Sequence, residues 1–258
     1  MDFTLQSLAL AGALLAGMLA ALEAGRRLGR RHLAKHPEAA MAGLGAMEGA
    51  VFALLGLVVA FTFSGAAARF DSRRQLIAQE ANAIGTAYLR LDLLAPEDRG
   101  PLQAAFRGYL DARLDQTREV PGTAAATAAE GKALRLQRAI WERAVAALPR
   151  APLPSAPMLV VPALNELIDL AATRGAASRL HPPQVVYAML GVLALAGALL
   201  AGFASAGTPV RSWLHELGFA LIFAVTVFVI VDLEHPRRGL IRIDAADQPL
   251  LDLRAQMR

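Results

Sequence analysis

Four stretches of this chain contain no Asp, Glu, Lys or Arg: Phe3 to Leu22, Gly49 to Ala68, Leu180 to Val210 and Leu217 to Val231. A helix crossing a bilayer needs about 20 mainly apolar residues, because at 1.5 Å per residue that length matches the hydrocarbon thickness. Three stretches reach it outright. The fourth reaches it if Trp213 to Glu216 sit among the headgroups. The chain is therefore expected to be all-α and integral to a membrane, with four transmembrane helices. Composition agrees, since 55% of the 258 residues are hydrophobic and only 19% are charged. Counting glycine in place of tyrosine, the apolar share rises further above the soluble norm of about 45–50%.

The remaining charge excludes several function classes. The net charge is +4, but all but two of the 26 basic residues are arginines spread along the chain. Without a basic stripe interleaved with aromatics, nucleic acid is not an expected partner. The chain has no cysteine, which removes disulfides, thiolate nucleophiles and Cys-ligated metals. Basic residues follow the first apolar stretch rather than precede it, so that stretch reads as a retained anchor and not a cleaved signal.

Hydropathy divides the chain into transmembrane helices one and two over 1–68, an inserted helical extramembrane bundle over 69–184, helices three and four over 185–232, and a juxtamembrane tail over 233–258. Small residues recur every fourth position in helix one, as Ala9, Ala13, Gly17, Ala21 and as Gly12, Ala16, Ala20, Ala24. Gly45 and Gly49 in helix two, and Ala194, Ala198 and Gly202 in helix three, repeat the pattern. Such rows permit close packing in lipid without naming the partner. Between helices one and two, GRRLGRRHLAKHPEAA reads as a short basic loop. The positive-inside rule would make it cytoplasmic. However, strict alternation then puts Arg69, Arg73, Arg74, Arg174, Arg179, Arg237, Arg238 and Arg242 opposite Arg26, Arg27, Arg30, Arg31, Lys35 and Arg211, and orientation stays open.

Within the insert, Ile77, Ala81, Ile84, Tyr88 and Leu91 follow helical spacing with no proline between them. Helix two is expected to continue unbroken to Leu94, about 39 Å past the bilayer edge. APEDRG supplies a turn and a helix start, and Leu102, Phe106, Tyr109, Leu110 and Leu114 form the next apolar face. GTAAATAAEG reads as a loop. A helix from Glu130 to Leu148 then presents Leu134, Trp141, Val145 and Leu148, and PRAPLPSAP reads as irregular. A last helix is expected to open at Pro162 or Ala163 and to end near Gly175.

Catalytic motifs are absent. His32 and His36 have ligand-like spacing but sit among cations, so no metal is expected. Asn165, Glu166 and Asp169 read as an exposed helix face. No enzyme and no cofactor are expected. More informative are the charges at the membrane edge. Arg69, Asp71, Arg73 and Arg74 follow helix two, and Asp232, Glu234, Arg237, Arg238 and Arg242 follow helix four. By alternation both clusters lie on one side, where they can pair between helices or subunits. Asp232 abuts the run LIFAVTVFVIV, where a carboxylate demands a partner.

The runs LVVAFTFSGAAARFDSRRQLIAQEANAIGTAYLR, PALNELID and VDLEHPRRGLIR resemble the bacterial membrane proteins called bestrophin-like, and more distantly the bestrophin channels. The resemblance covers Gly49 to Arg242. It implies a multi-pass protein of the cell inner membrane, a homo-oligomer that passes small inorganic ions through a pore lined by helix two. Aligned on Arg69, Ala53, Leu57 and Phe61 fall on the bestrophin neck positions. Phe70 and Asp71 stand where that pattern has a tryptophan pair, and Ala53 is small, so Leu57 and Phe61 are the expected constriction. The alternative is a membrane-anchored interaction or sensory module without transport activity.

Overall fold

The structure, a computed structural model, describes residues 3–36, 44–208 and 212–257. Arg211 and the surroundings of Gly45 lie outside them. Every regular element among the described residues is helical: α1 (Phe3–Lys35), α2 (Leu44–Arg90), α3 (Pro96–Arg118), α4 (Ala124–Ala147), α5 (Ala156–Arg179), α6 (Gln184–Ala204), α7 (Trp213–Leu233) and α8 (Gln248–Gln256). Four helical segments, 3–35, 48–93, 156–207 and 213–233, are long and apolar enough to cross a membrane. The chain divides into two compact units, residues 1–68 with 181–235 and residues 69–180 with 236–258. α2 is one helix that begins in the first unit and ends in the second.

In the first unit α1 and α6 run in the same direction with their backbones touching. A Cβ on Gly25 would fall 1.9 Å from the Leu199 carbonyl oxygen, and one on Gly202 would fall 2.0 Å from that of Leu22. A Cβ on Gly29 would fall 2.5 Å from Ala206 Cβ and 2.6 Å from the Phe203 carbonyl oxygen. Lipid tails are as apolar as leucine, so packing closeness, not burial from water, holds such helices together. The residues responsible correct two expectations. The row Gly12, Ala16, Ala20, Ala24 is exposed along its length, and the contact belongs to Gly25 and Gly29. Those two lie in the basic run expected to be a loop. The run is instead helical through Lys35, because its only weak helix formers are the glycines that the packing uses. Met18, Leu55, Ala194, Ala198, Ala220, Phe223 and Val227 form the core of this unit. Its outward faces are apolar, with Leu5, Leu10, Val192, Leu221 and Ile222 exposed.

The second unit is a helical bundle around Ile77 and Ile84 of α2, Leu91 in the 3-10 turn after it, Phe106, Tyr109 and Leu110 of α3, Ile140 of α4, and Leu164 and Leu167 of α5. The α3 face is the one the spacing predicts. α4 starts earlier than expected: Thr123 accepts a hydrogen bond on Oγ1 from Ala126 N, and this cap draws the alanine run of the expected loop into the helix. Its buried side is also different. Ala133, Ile140, Ala144 and Ala147 face in, whereas Leu134 (57% exposed) and Val145 face out. α5 begins at Ala156 and carries Pro162 inside it, running past Gly175 to Arg179. A proline there removes one ladder donor and crowds the carbonyl four residues earlier. Arg90 Nη1 donates to Leu159 O at 2.6 Å in the same turn. The segment read as a tail is built in as well. Ile243 and Leu250 join the core, and Leu253 of α8 occupies the space that a Cβ on Gly85 would crowd, at 3.2 Å.

Candidate functional site

α2 has two unlike faces where it passes through the first unit. Leu55 and Thr62 are buried, and the Thr62 hydroxyl donates to Val58 O at 2.6 Å. Phe52 meets Phe219 of α7 edge-on, with ring centroids 5.7 Å apart. The opposite face carries Ala53, Leu57 and Phe61, one helical turn apart, and it stands open among the described residues: Leu57 is 52% and Phe61 70% exposed. Ala60, Ser64 and Ala68 extend this face. It holds no titratable group, so its chemistry is that of an apolar surface with one hydroxyl.

Past Ala68, Arg73, Arg74, Arg237, Arg238 and Arg242 find partners within the second unit. Arg73 is buried and caps the end of α5, donating from Nε to Ala177 O (3.3 Å) and from Nη2 to Leu180 O (2.9 Å). Arg74 pairs with Asp71 at 3.3 Å on the surface. Arg69 is half-buried. Arg237 holds Asp247 with two hydrogen bonds, at 2.7 and 2.8 Å, and also reaches Asp244 at 3.1 Å. Arg242 approaches Asp244 at 2.5 Å. Arg238 donates to the Pro121 carbonyl. The guanidinium of Arg242 holds the Asp244 carboxyl below the usual carboxylate range despite some burial, and Arg237 adds to this.

Asp232 and Glu234 are both fully buried at the end of α7 in the first unit. Beside them the His181 and His235 rings stack with centroids 4.8 Å apart, and His181 Nδ1 lies 3.6 Å from Glu234 Oε2. Asn165, Glu166 and Asp169 are exposed on α5. The His32 and His36 rings lie 5.2 Å apart. Among the described residues no group of three or more metal-binding side chains comes together.

A buried ionic chain in the second unit escaped the sequence reading. Glu80 of α2 is fully buried, with Arg113 of α3 at 2.6 Å on one carboxylate oxygen and Arg174 of α5 at 2.5 Å on the other. Arg174 also approaches Asp247 at 4.0 Å, which Arg237 holds. Three helices and the C-terminal segment therefore meet through alternating charges. Both Glu80 oxygens are engaged, so the carboxylate ties helices together rather than serving as a base. Tyr109 lies one turn before Arg113, and its hydroxyl has no hydrogen-bond partner among the described residues. Burial pushes its pKa well above the ordinary phenol value, and the group stays neutral. The sequence did carry a signal for this chain: Glu80 and Arg113 occupy positions in register with the apolar seams of α2 and α3.

A family model described as the Bestrophin-like domain matches residues 11–247. No curated protein and no solved structure matches the chain.

Proposed function

The chain belongs to the bestrophin-like family and is a multi-pass membrane protein, and from that premise we propose that it forms a homo-oligomer conducting small ions through a pore lined by α2. One observation carries the reading. The α2 face bearing Ala53, Leu57 and Phe61 is left open by the other described residues, although the opposite face is packed. Copies of α2 arranged about a shared axis would bring Leu57 and Phe61 into adjacent apolar rings, and such rings gate by dewetting. Ala53 would leave a wider turn next to them. In this reading the helical bundle of residues 69–180 stands outside the bilayer of a bacterial inner membrane.

Reconstitution in liposomes, with the native mass in mild detergent, tests the proposal. Ion flux above that of empty vesicles is expected, from a particle of several subunits. A monomer without flux would end the reading and leave a membrane-anchored interaction module in its place. Phe61→Ala removes the larger ring and is expected to raise the flux several-fold. An unchanged flux would remove Phe61 from the constriction.

A further inference from the structure

We propose that the last three turns of α1 form a binding surface for the headgroups of anionic phospholipids. α1 remains helical for 13 residues beyond its apolar stretch, from Glu23 to Lys35, which is about 20 Å of helix. One side of this extension is consumed by packing: Gly25 and Gly29 press on α6, and Leu33 reaches Gly207. Arg26 turns inward on that side, to Glu216 at 3.2 Å and toward Thr208 O at 3.5 Å.

The other side presents Arg27, Arg30, Arg31 and Lys35, all exposed. Arg27, Arg31 and Lys35 form a row at four-residue spacing, with Arg30 beside it. Arg27 is shared with Glu23 at 2.6 Å, whereas Arg30, Arg31 and Lys35 make no ion pair among the described residues. This cluster begins within two turns of the last apolar residue of the span, which places it at headgroup depth.

Its apolar neighbours separate a lipid from a soluble acidic partner. The Arg26–Glu216 pair holds the start of α7 alongside, and there Trp213 and Leu214 are 59% and 81% exposed. Leu28 is exposed between the cations. An exposed tryptophan and leucine at the same end of the unit as a basic row match a glycerol backbone and the first methylenes below a phosphate. A water-soluble acidic surface would leave them unmatched. Clustered Lys and Arg next to a span attract anionic lipid by charge.

The chain has two tryptophans, and the Trp141→Phe variant leaves Trp213 as sole reporter. This variant is reconstituted in phosphatidylcholine vesicles containing a minor fraction of brominated phosphatidylglycerol, or the same fraction of brominated phosphatidylcholine. Quenching of Trp213 by the glycerol lipid is expected to exceed that by the choline lipid at least about fivefold. The excess is expected to vanish in the added R30Q/R31Q/K35Q substitution and at high ionic strength, and to survive R135Q/R138Q on α4. Equal quenching by the two lipids would overturn the proposal. So would an excess that persists in the triple variant, or one displaced by inorganic phosphate at constant ionic strength. Should the triple variant fail to fold, the salt titration on the parent decides alone.

Discussion

Replacing Gly25 by alanine adds one methyl group where there is no room for it. The new Cβ would lie 1.9 Å from the Leu199 carbonyl oxygen and 2.9 Å from the Phe203 backbone nitrogen. Backbone atoms cannot rotate aside as a side-chain tip would, so α1 and α6 must separate by about 1 Å. A gap of that size forfeits a quarter to a half of each dispersion contact along the seam, and overpacking of this kind costs about 1–3 kcal/mol. We expect the upper end, and a fall in Tm of roughly 5–10 °C in detergent, followed by helical dichroism. Gly202→Ala meets the Leu22 carbonyl oxygen at 2.0 Å and should cost as much. The double variant should cost less than the sum, because one separation relieves both clashes. Gly12→Ala and Gly218→Ala are controls, since nothing lies within 4 Å of either Cβ. If Gly25→Ala melts together with Gly12→Ala, the backbone contact does not exist and the account of α1–α6 packing fails.

Two further outcomes follow from the charged chain in the second unit. Glu80→Gln leaves the Arg113 and Arg174 guanidiniums facing each other with no anion between them, and breaking a buried pair in this way costs about 3–5 kcal/mol. Its Tm should fall more than that of Asp71→Asn, which breaks only the exposed pair with Arg74, and equal melting would refute the role given to Glu80. Asp244 has its pKa depressed in the folded chain, so its contribution is full above the unfolded value of about 3.9 and disappears as pH falls through the lower folded value. Hydrogen exchange corrected for intrinsic rates should show residues 241–246 losing protection as pH falls below about 4 while the α3 core keeps it. Asp244→Asn should remove that pH dependence. A pH-independent parent would count against the pairing with Arg242 and Arg237.

Several elements were legible because one strong local pattern decided them. α2 runs without proline along the seam from Ile77 to Tyr88, although it passes into a 3-10 turn at Leu91 and so stops short of the expected Leu94. The α3 face of Leu102, Phe106, Tyr109, Leu110 and Leu114 is buried as its spacing requires. Misreadings arose where a residue's usual habit gave way to a neighbour. Leu134 and Val145 read as core, yet α4 turns Ala133, Ile140, Ala144 and Ala147 inward. Pro162 read as a helix start, but the seam of Val160, Ala163, Leu164 and Leu167 runs across it. The open α2 face could be named from the resemblance. Its exposure depends on which of its sides α6 and α7 cover.

The order of residues alone dictated that this polypeptide is helical and belongs in hydrocarbon. Long runs without charge have no other solvent, and a backbone in lipid must bond to itself. Which faces meet was settled only by the folded chain, since packing is a property of two surfaces and one sequence shows each of them singly. Gly25 and Gly29 look like spacers among arginines until the α6 backbone at Leu199 and Phe203 is set against them. Likewise Glu80 is a misplaced carboxylate until Arg113 and Arg174 arrive from helices distant in sequence to neutralise it.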